Sequence, residues 1–505
     1  VLRLQVEPGP NQDTNWDYSY FGQPRIIVGG GEVILYPAPD EKLLSKDYKV
    51  KINGNSVDVY SAKVEDSVCK SNVVYHGDLG GDYSFVQFDF SGAAHMEIQS
   101  DRNIRDAKVQ PLSKRIEHYP TGDYSTEIIL TEPQNIVFEP EGKRRPLMIF
   151  ANSIEKKRPD KNASGVRYFG PGLHKPQKGM ISLGDNETLY LAGGAVLQTA
   201  IEIKGDNIGV LGRGVLDGTI WPWRKGPAPN NSIRVVDSSN ITIEGIVIRG
   251  PWHWTMPLVN SEKINISNVK ICGGRVPNDD GINPVNSRDV HIKDCFIRTV
   301  DDCIAIKGDN KKWGNVENIL IEDTVFWGDL ARITLLGHES RAEYMRNIVY
   351  RNLDIIHYSD RHPIFFLQPG EDMKMENITF KNIRINGEHN LNHPYLTRLV
   401  PKVVKYNHTK IPGHINNVLF ENIFVFGGIK PNSFKIYLQG DDDSYRVENV
   451  TFKNVLIGDE LVRRPSPRVT IGGFADNISF LNNTELDSPL NGKFTESNDD
   501  NEGQK

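Results

Sequence analysis

A chain of 505 residues has room for two to four ordinary domains, or for one long repeat beside a smaller unit. Its 59 basic residues nearly balance 65 acidic ones, so nothing marks a nucleic-acid partner or a polybasic membrane surface. No apolar run approaches the roughly 18 residues needed to span a bilayer, and four cysteines without Cys-x-x-Cys spacing are no disulfide framework. Cys272, Cys295 and Cys303 read as small packing residues. Val1 in place of Met suggests a trimmed leader, and the expected location is secreted or periplasmic.

Residues 1–165 read as all-β. Tyr48, Val50 and Ile52 alternate with lysines, Asn53-Gly54-Asn55 supplies a turn, and Val57 and Val59 resume the alternation. Val86, Phe88 and Phe90 alternate with polar residues, and 135–138 and 147–150 give further short strands. Strands of this length and spacing predict an N-terminal β-sandwich, with support or substrate binding as its role.

Near Tyr168-Phe169-Gly170-Pro171-Gly172 a repeat begins. Its copies include Asn240-Ile241-Thr242-Ile243, Asp289-Val290-His291-Ile292, Asn318-Ile319-Leu320-Ile321, Asn347-Ile348-Val349-Tyr350, Asn377-Ile378-Thr379-Phe380, Asn449-Val450-Thr451-Phe452 and Asn477-Ile478-Ser479-Phe480. Counting the weaker copies, the spacing is 23 to 33 residues, apart from a 40-residue step before Asn417. Alternation rather than a helical period dominates, which disfavours a helical solenoid. A propeller would want blades of about 40 residues or more. The pattern predicts a right-handed parallel β-helix over residues 166–487, followed by a polar tail over 488–505. Asparagine at a turn tolerates left-handed backbone angles and can hydrogen-bond to its counterpart on the next rung, so Asn240, Asn377 and Asn449 read as structural despite their Asn-x-Ser/Thr context. Residues 388–414, with His389, His393, His408 and His414, interrupt the repeat and read as a loop at the rim. Their scattered spacing does not suggest a metal site.

The chemistry concentrates at Asn278-Asp279-Asp280-Gly281 and Asp301-Asp302-Cys303-Ile304-Ala305, with Asp280 and Asp301 21 residues apart. That is about one rung, which would bring the two clusters side by side. Converging carboxylates repel, so a protein keeps them for acid–base chemistry or for a metal; the bland alternative is three unrelated surface aspartates. Pro251-Trp252-His253-Trp254 lies one rung earlier, and Trp313 and Trp327 lie near the next. Aromatic faces beside carboxylates suit sugars, although each tryptophan could equally pack in the core.

Those two motifs resemble the Asn-Thr-Asp-Gly and Asp-Asp-Cys motifs of glycoside hydrolase family 28, the polygalacturonases. The resemblance implies a parallel β-helix and hydrolysis with inversion. It implies Asp301 as general acid and Asp280 with Asp302 as the pair that activates water. No metal or cofactor is implied. Asn278, Trp252, His253, Trp254, Lys307, Trp313, Arg332 and His338 are the expected substrate-binding residues. Two family motifs depart: Leu330-Ala331-Arg332 stands where Gly-His-Gly is expected, with Gly337-His338-Glu339 several residues late. Phe365-Phe366-Leu367 stands where the cationic Arg-Ile-Lys is expected. A sandwich ahead of a β-helix is also similar to family 49, the dextranases and isopullulanases. The expectation is therefore an inverting glycoside hydrolase acting on a polysaccharide or oligosaccharide, by preference a neutral α-glycan. The alternatives are a galacturonan hydrolase, a polysaccharide lyase, and a non-catalytic glycan-binding coil.

Overall fold

The structure, a computed structural model, describes residues 31–64, 79–156, 158–387, 395–430 and 432–482. His389, His393 and the tail over 488–505 lie outside the described residues.

Strands between Val33 and Ser153 form two sheets packed face to face. One carries Tyr83–Phe90 at its centre, parallel to Leu147–Ser153. The other is the antiparallel set built on Tyr48–Ile52, Ala94–Ser100 and Ser125–Leu130. In Tyr48–Ile52 the lysines are exposed and the apolar residues buried, as expected for a sheet with one wet face. Tyr83–Phe90 is buried at every position, because its second face packs against the next domain. There Phe150 meets Phe296 at 5.3 Å, and the Tyr83 hydroxyl donates to the Gly273 carbonyl at 2.6 Å.

From Val166 to Leu481 the chain winds into a right-handed parallel β-helix. Each rung contributes one strand to an eleven-stranded sheet running from Met180–Leu183 to Val469–Ile471, and two to the remaining wall. Late in the coil those two fuse into continuous strands such as Tyr344–His357 and Lys374–Gly387. Inward residues form one apolar column, with the rings of Tyr350, Phe380, Phe420, Phe452 and Phe480 stacked 4.8–5.2 Å apart.

Asparagines turn the corners. Asn318, Asn347, Asn377 and Asn417 all have φ between 53° and 57°, and each side-chain amide donates to the residue one rung earlier at 2.8–3.2 Å. Asn352, Asn382, Asn422 and Asn454 form a second ladder. Asn240 and Asn449 donate within the same system, which is the structural role expected of them. The interruption at 388–414 is less irregular than its sequence suggests. Tyr395–Leu399 pairs with Phe365–Gln368 and supplies that rung's strand in the eleven-stranded sheet.

Candidate active site

The aspartates sit just before strands of the eleven-stranded sheet, on adjacent rungs. Main-chain bonds set the order: Thr255 N–H donates to the Asp280 carbonyl at 2.8 Å, Gly281 N–H to Asp302 at 2.9 Å, and Cys303 N–H to Arg332 at 3.0 Å. Gly281 makes the close approach possible, since a Cβ there would fall against the Cys303 carbonyl oxygen. The spacing seen in the sequence is therefore one rung, and the two acidic clusters stand side by side.

Each carboxylate has its own surroundings. Asp280 is buried, and its Oδ2 accepts from Asn283 Nδ2 at 2.8 Å while its Oδ1 has no protein partner. Burial, with Asp301 and Asp302 nearby, holds its pKa well above the usual carboxylate range. Asp301 Oδ2 accepts from Asn278 Nδ2 at 3.0 Å; burial and the Asp302 charge push its pKa up to about 6 against the pull of Arg332 and Lys307. Asp302 accepts from the Arg332 backbone N–H at 3.0 Å and from its guanidinium Nη1 at 3.1 Å. Burial would raise Asp302 too, but Arg332 and Lys307 outweigh it and leave its pKa below the ordinary value.

Asp279 plays a part that the sequence did not single out. Its buried carboxylate accepts from the backbone N–H groups of Gly274 and Val300, both at 2.7 Å, and of Asp301 at 3.2 Å. It ties the two acidic turns together. Arg224 donates to Asn278 Oδ1 at 2.8 Å and so braces the amide that holds Asp301. His362, also unremarked in the sequence, stands near Arg332 and Asp302 and is kept neutral by burial, with a pKa of about 4.

Of the expected substrate-binding residues, several meet here. Lys307 bonds to Glu339 at 2.8 Å and lies 5.0 Å from the Trp254 ring, on which His253 stacks at 5.9 Å. Burial lowers the His253 pKa to about 4. His338 reaches the site from a register shift in its strand, with φ at 63°, its ring between Phe366 and Tyr406. Burial and Arg332 lower its pKa to about 4, so it offers a neutral imidazole. Trp252 corrects the expectation of an exposed platform: it is fully buried against Trp221, 4.3 Å away. Trp327 is buried likewise, beside Arg298 and His357. Trp313 sits half-exposed on the turn Lys311–Trp313, where no contact among the described residues ties it to the aspartates.

A second correction concerns charge. Phe365 and Leu367, placed in the sequence at the positions of the missing cations, point into the coil core; Phe366 is the residue facing outward, packed with Ala305 and Leu335. Inward residues say nothing about the cleft, so the sequence argument for a neutral glycan loses its footing. No group of His, Cys, Asp and Glu among the described residues is arranged to hold a metal.

The chain is similar to known proteins over part of its length. Over 202 residues the chain is 27% identical to an exopolygalacturonase from Arabidopsis thaliana, covering 39% of this chain and 44% of that protein. It is 26% identical over 233 residues to polygalacturonase QRT2 of the same plant, covering 43% and 51%. The chain thus spans about half the length of these curated relatives. Among solved structures, Dex49A from Penicillium minioluteum superposes with a TM-score of 0.60 at 14% identity, over 88% of this chain and 96% of that one, a likeness of fold. The model of glycosyl hydrolases family 28 matches residues 193–462, which include every aspartate described above, and the chain belongs to that family.

Proposed function

We propose that the protein hydrolyses α-glycosidic bonds of a galacturonan with inversion at the anomeric carbon. The observation that carries the reaction type is the opposed titration of two neighbours: Asp301 raised to about 6 and Asp302 lowered by Arg332. Near pH 5 one holds a proton and the other a charge. Asp301 protonates the glycosidic oxygen as the bond to the anomeric carbon breaks. Water attacks from the opposite face and gives its proton to Asp302, while Asp280 holds that water through its unpartnered oxygen. Elimination would need a basic proton acceptor; here Arg332 and Lys307 are engaged with carboxylates, and His338 and His362 are weak bases.

The substrate class rests on the relatives, which are named polygalacturonases. The neutral glycan expected from the sequence draws no support from them.

The test is proton NMR of the first sugar released from polygalacturonate. An inverted anomeric signal is the expected result. A retained configuration would mean a nucleophilic carboxylate, and an unsaturated product would mean elimination. Release only from neutral glucans would overturn the substrate.

A further inference from the structure

A further cation, Arg398, lies on the same face of the coil. Arg332 is bound to Asp302, Lys307 to Glu339, and Arg341 to Asp309 and the Tyr406 carbonyl. Arg398 has no carboxylate partner among the described residues, and its Nε is buried without a hydrogen bond. Its guanidinium carbon lies 5.6 Å from the Phe366 ring, 5.3 Å from Tyr395 and 5.4 Å from Tyr437, inside a cage of three aromatic faces. Such rings favour a cation electrostatically but supply no oxygen to receive its N–H groups. Arg398 is half-buried, so its terminal N–H groups can be completed by an acceptor from outside.

Its position relates that acceptor to the reaction. Arg398 pairs in register with Phe366, which pairs with Leu335, which pairs with Ala305, so it faces the cleft two rungs beyond the strand that follows Arg332. Arg332 approaches the same Phe366 ring, at 5.7 Å. The two guanidinium groups thus approach one ring.

We infer that Arg398 is a subsite residue that binds the carboxylate of a uronate one or two sugars away from the bond being cleaved. Its two terminal nitrogens form the fork that takes a carboxylate through two parallel hydrogen bonds. Tyr395 and Tyr437 offer aromatic faces to the C–H surface of the same ring. The inference rests on the galacturonan reading for its ligand, and it gives that reading a grip that Phe365 and Leu367 do not supply.

Calorimetry with trigalacturonate, on full-length protein carrying Asp301→Asn to block turnover, tests it. Adding Arg398→Gln is expected to weaken binding tenfold or more, the scale of charge-assisted hydrogen bonds. Adding Arg398→Lys, which keeps the charge but not the fork, should give an intermediate loss. The carboxyl-reduced, neutral trisaccharide should bind all three forms alike. Equal affinity of all forms for trigalacturonate, equal losses for charged and neutral sugars, or no binding of trigalacturonate overturns the role of Arg398. Failure of the wild-type protein to release sugar from polygalacturonate overturns the galacturonan reading instead, whatever calorimetry shows for Arg398.

Discussion

The molecule buries charge in two places and treats it in opposite ways. Between sandwich and coil, Arg213 meets Asp89 at 2.9 Å, Arg249 meets Asp217 at 2.9 Å and Arg298 meets Asp329 at 3.1 Å. The remaining N–H groups of these arginines go largely to sandwich carbonyls, those of Ser153, Ser61 and Leu79. In the cleft, the carboxylates of Asp280, Asp301 and Asp302 share one dedicated cation, Arg332, because Lys307 is held by Glu339. Asp280 keeps an oxygen with no partner. The interface pairs these charges one to one, with Arg298 Nη1 left unbonded and Lys270, held only by amide oxygens, lowered by burial to a pKa of about 7. The cleft leaves its charges in conflict, and the conflict divides protons unequally among identical side chains.

The largest effects should come from removing one member of the unmatched set. Asp301→Asn or Asp302→Asn should lower kcat on polygalacturonate by about 10²–10⁴-fold, with circular dichroism unchanged. For Asp301→Asn the loss should shrink on a galacturonide with an activated aryl leaving group, which scarcely needs protonation; for Asp302→Asn it should not. If both variants lose activity equally on both substrates, the assignment of acid and base is wrong.

On the matched side, Arg298→Met leaves Asp329 buried without its partner and should cost about 3–5 kcal/mol, read as a fall in the urea midpoint. A shift no larger than that of an exposed substitution such as Lys51→Ala would show that water reaches the interface.

A smaller effect sharpens the electrostatic contrast. With the proposed roles, in which Asp301 acts protonated and Asp302 ionised, the rate should fall as pH rises through about 6, and the acid limb should lie below the ordinary carboxylate range. Arg332→Gln removes the cation that depresses Asp302, and its acid limb should move upward by roughly a pH unit or more. An acid limb that stays in place would detach Arg332 from the titration of Asp302.

The smallest expected change is a gain. A carboxyl whose folded pKa is raised stabilises the fold below its unfolded pKa and loses that contribution as pH rises through the folded one. Asp280→Asn should therefore raise Tm by about 2 °C or more at mildly alkaline pH, and by less in acid, while impairing hydrolysis. A lower Tm at alkaline pH would show that Asp280 is better accommodated as an anion than its surroundings suggest.

The coil was legible because its information is local and repeated. Every corner asparagine meets the same geometry, so one copy announces the next, and a separation of about one rung in the sequence already sets Asp280 beside Asp301. What the sequence concealed depends on which way a strand faces. Phe365-Phe366-Leu367 is apolar throughout, and only the structure shows that Phe366 alone of the three looks outward. Trp252 sits where an aromatic platform was expected, yet the chain near Trp221 and Gly226 packs over it. Arg398 lies within the irregular 40-residue step between Asn377 and Asn417, where counting from the repeat fails. Asp279 carried no signal that separated it from its neighbours, because bracing backbone N–H groups and moving protons use the same side chain.

The parallel stacking of rungs has a further consequence for how such a cleft is inherited. Ala305, Leu335, Phe366, Arg398 and Tyr437 follow one another in register, each from a separate turn of the coil. Neighbouring strands are about 4.8 Å apart, so the cleft floor is a ruler graduated in fixed steps. Mutation at one graduation edits the reading there and leaves its neighbours in place, because the asparagine corners hold the pitch. Preference for a charged, esterified or shortened chain can thus drift one mark at a time, while the proton chemistry at the zero of the scale stays intact.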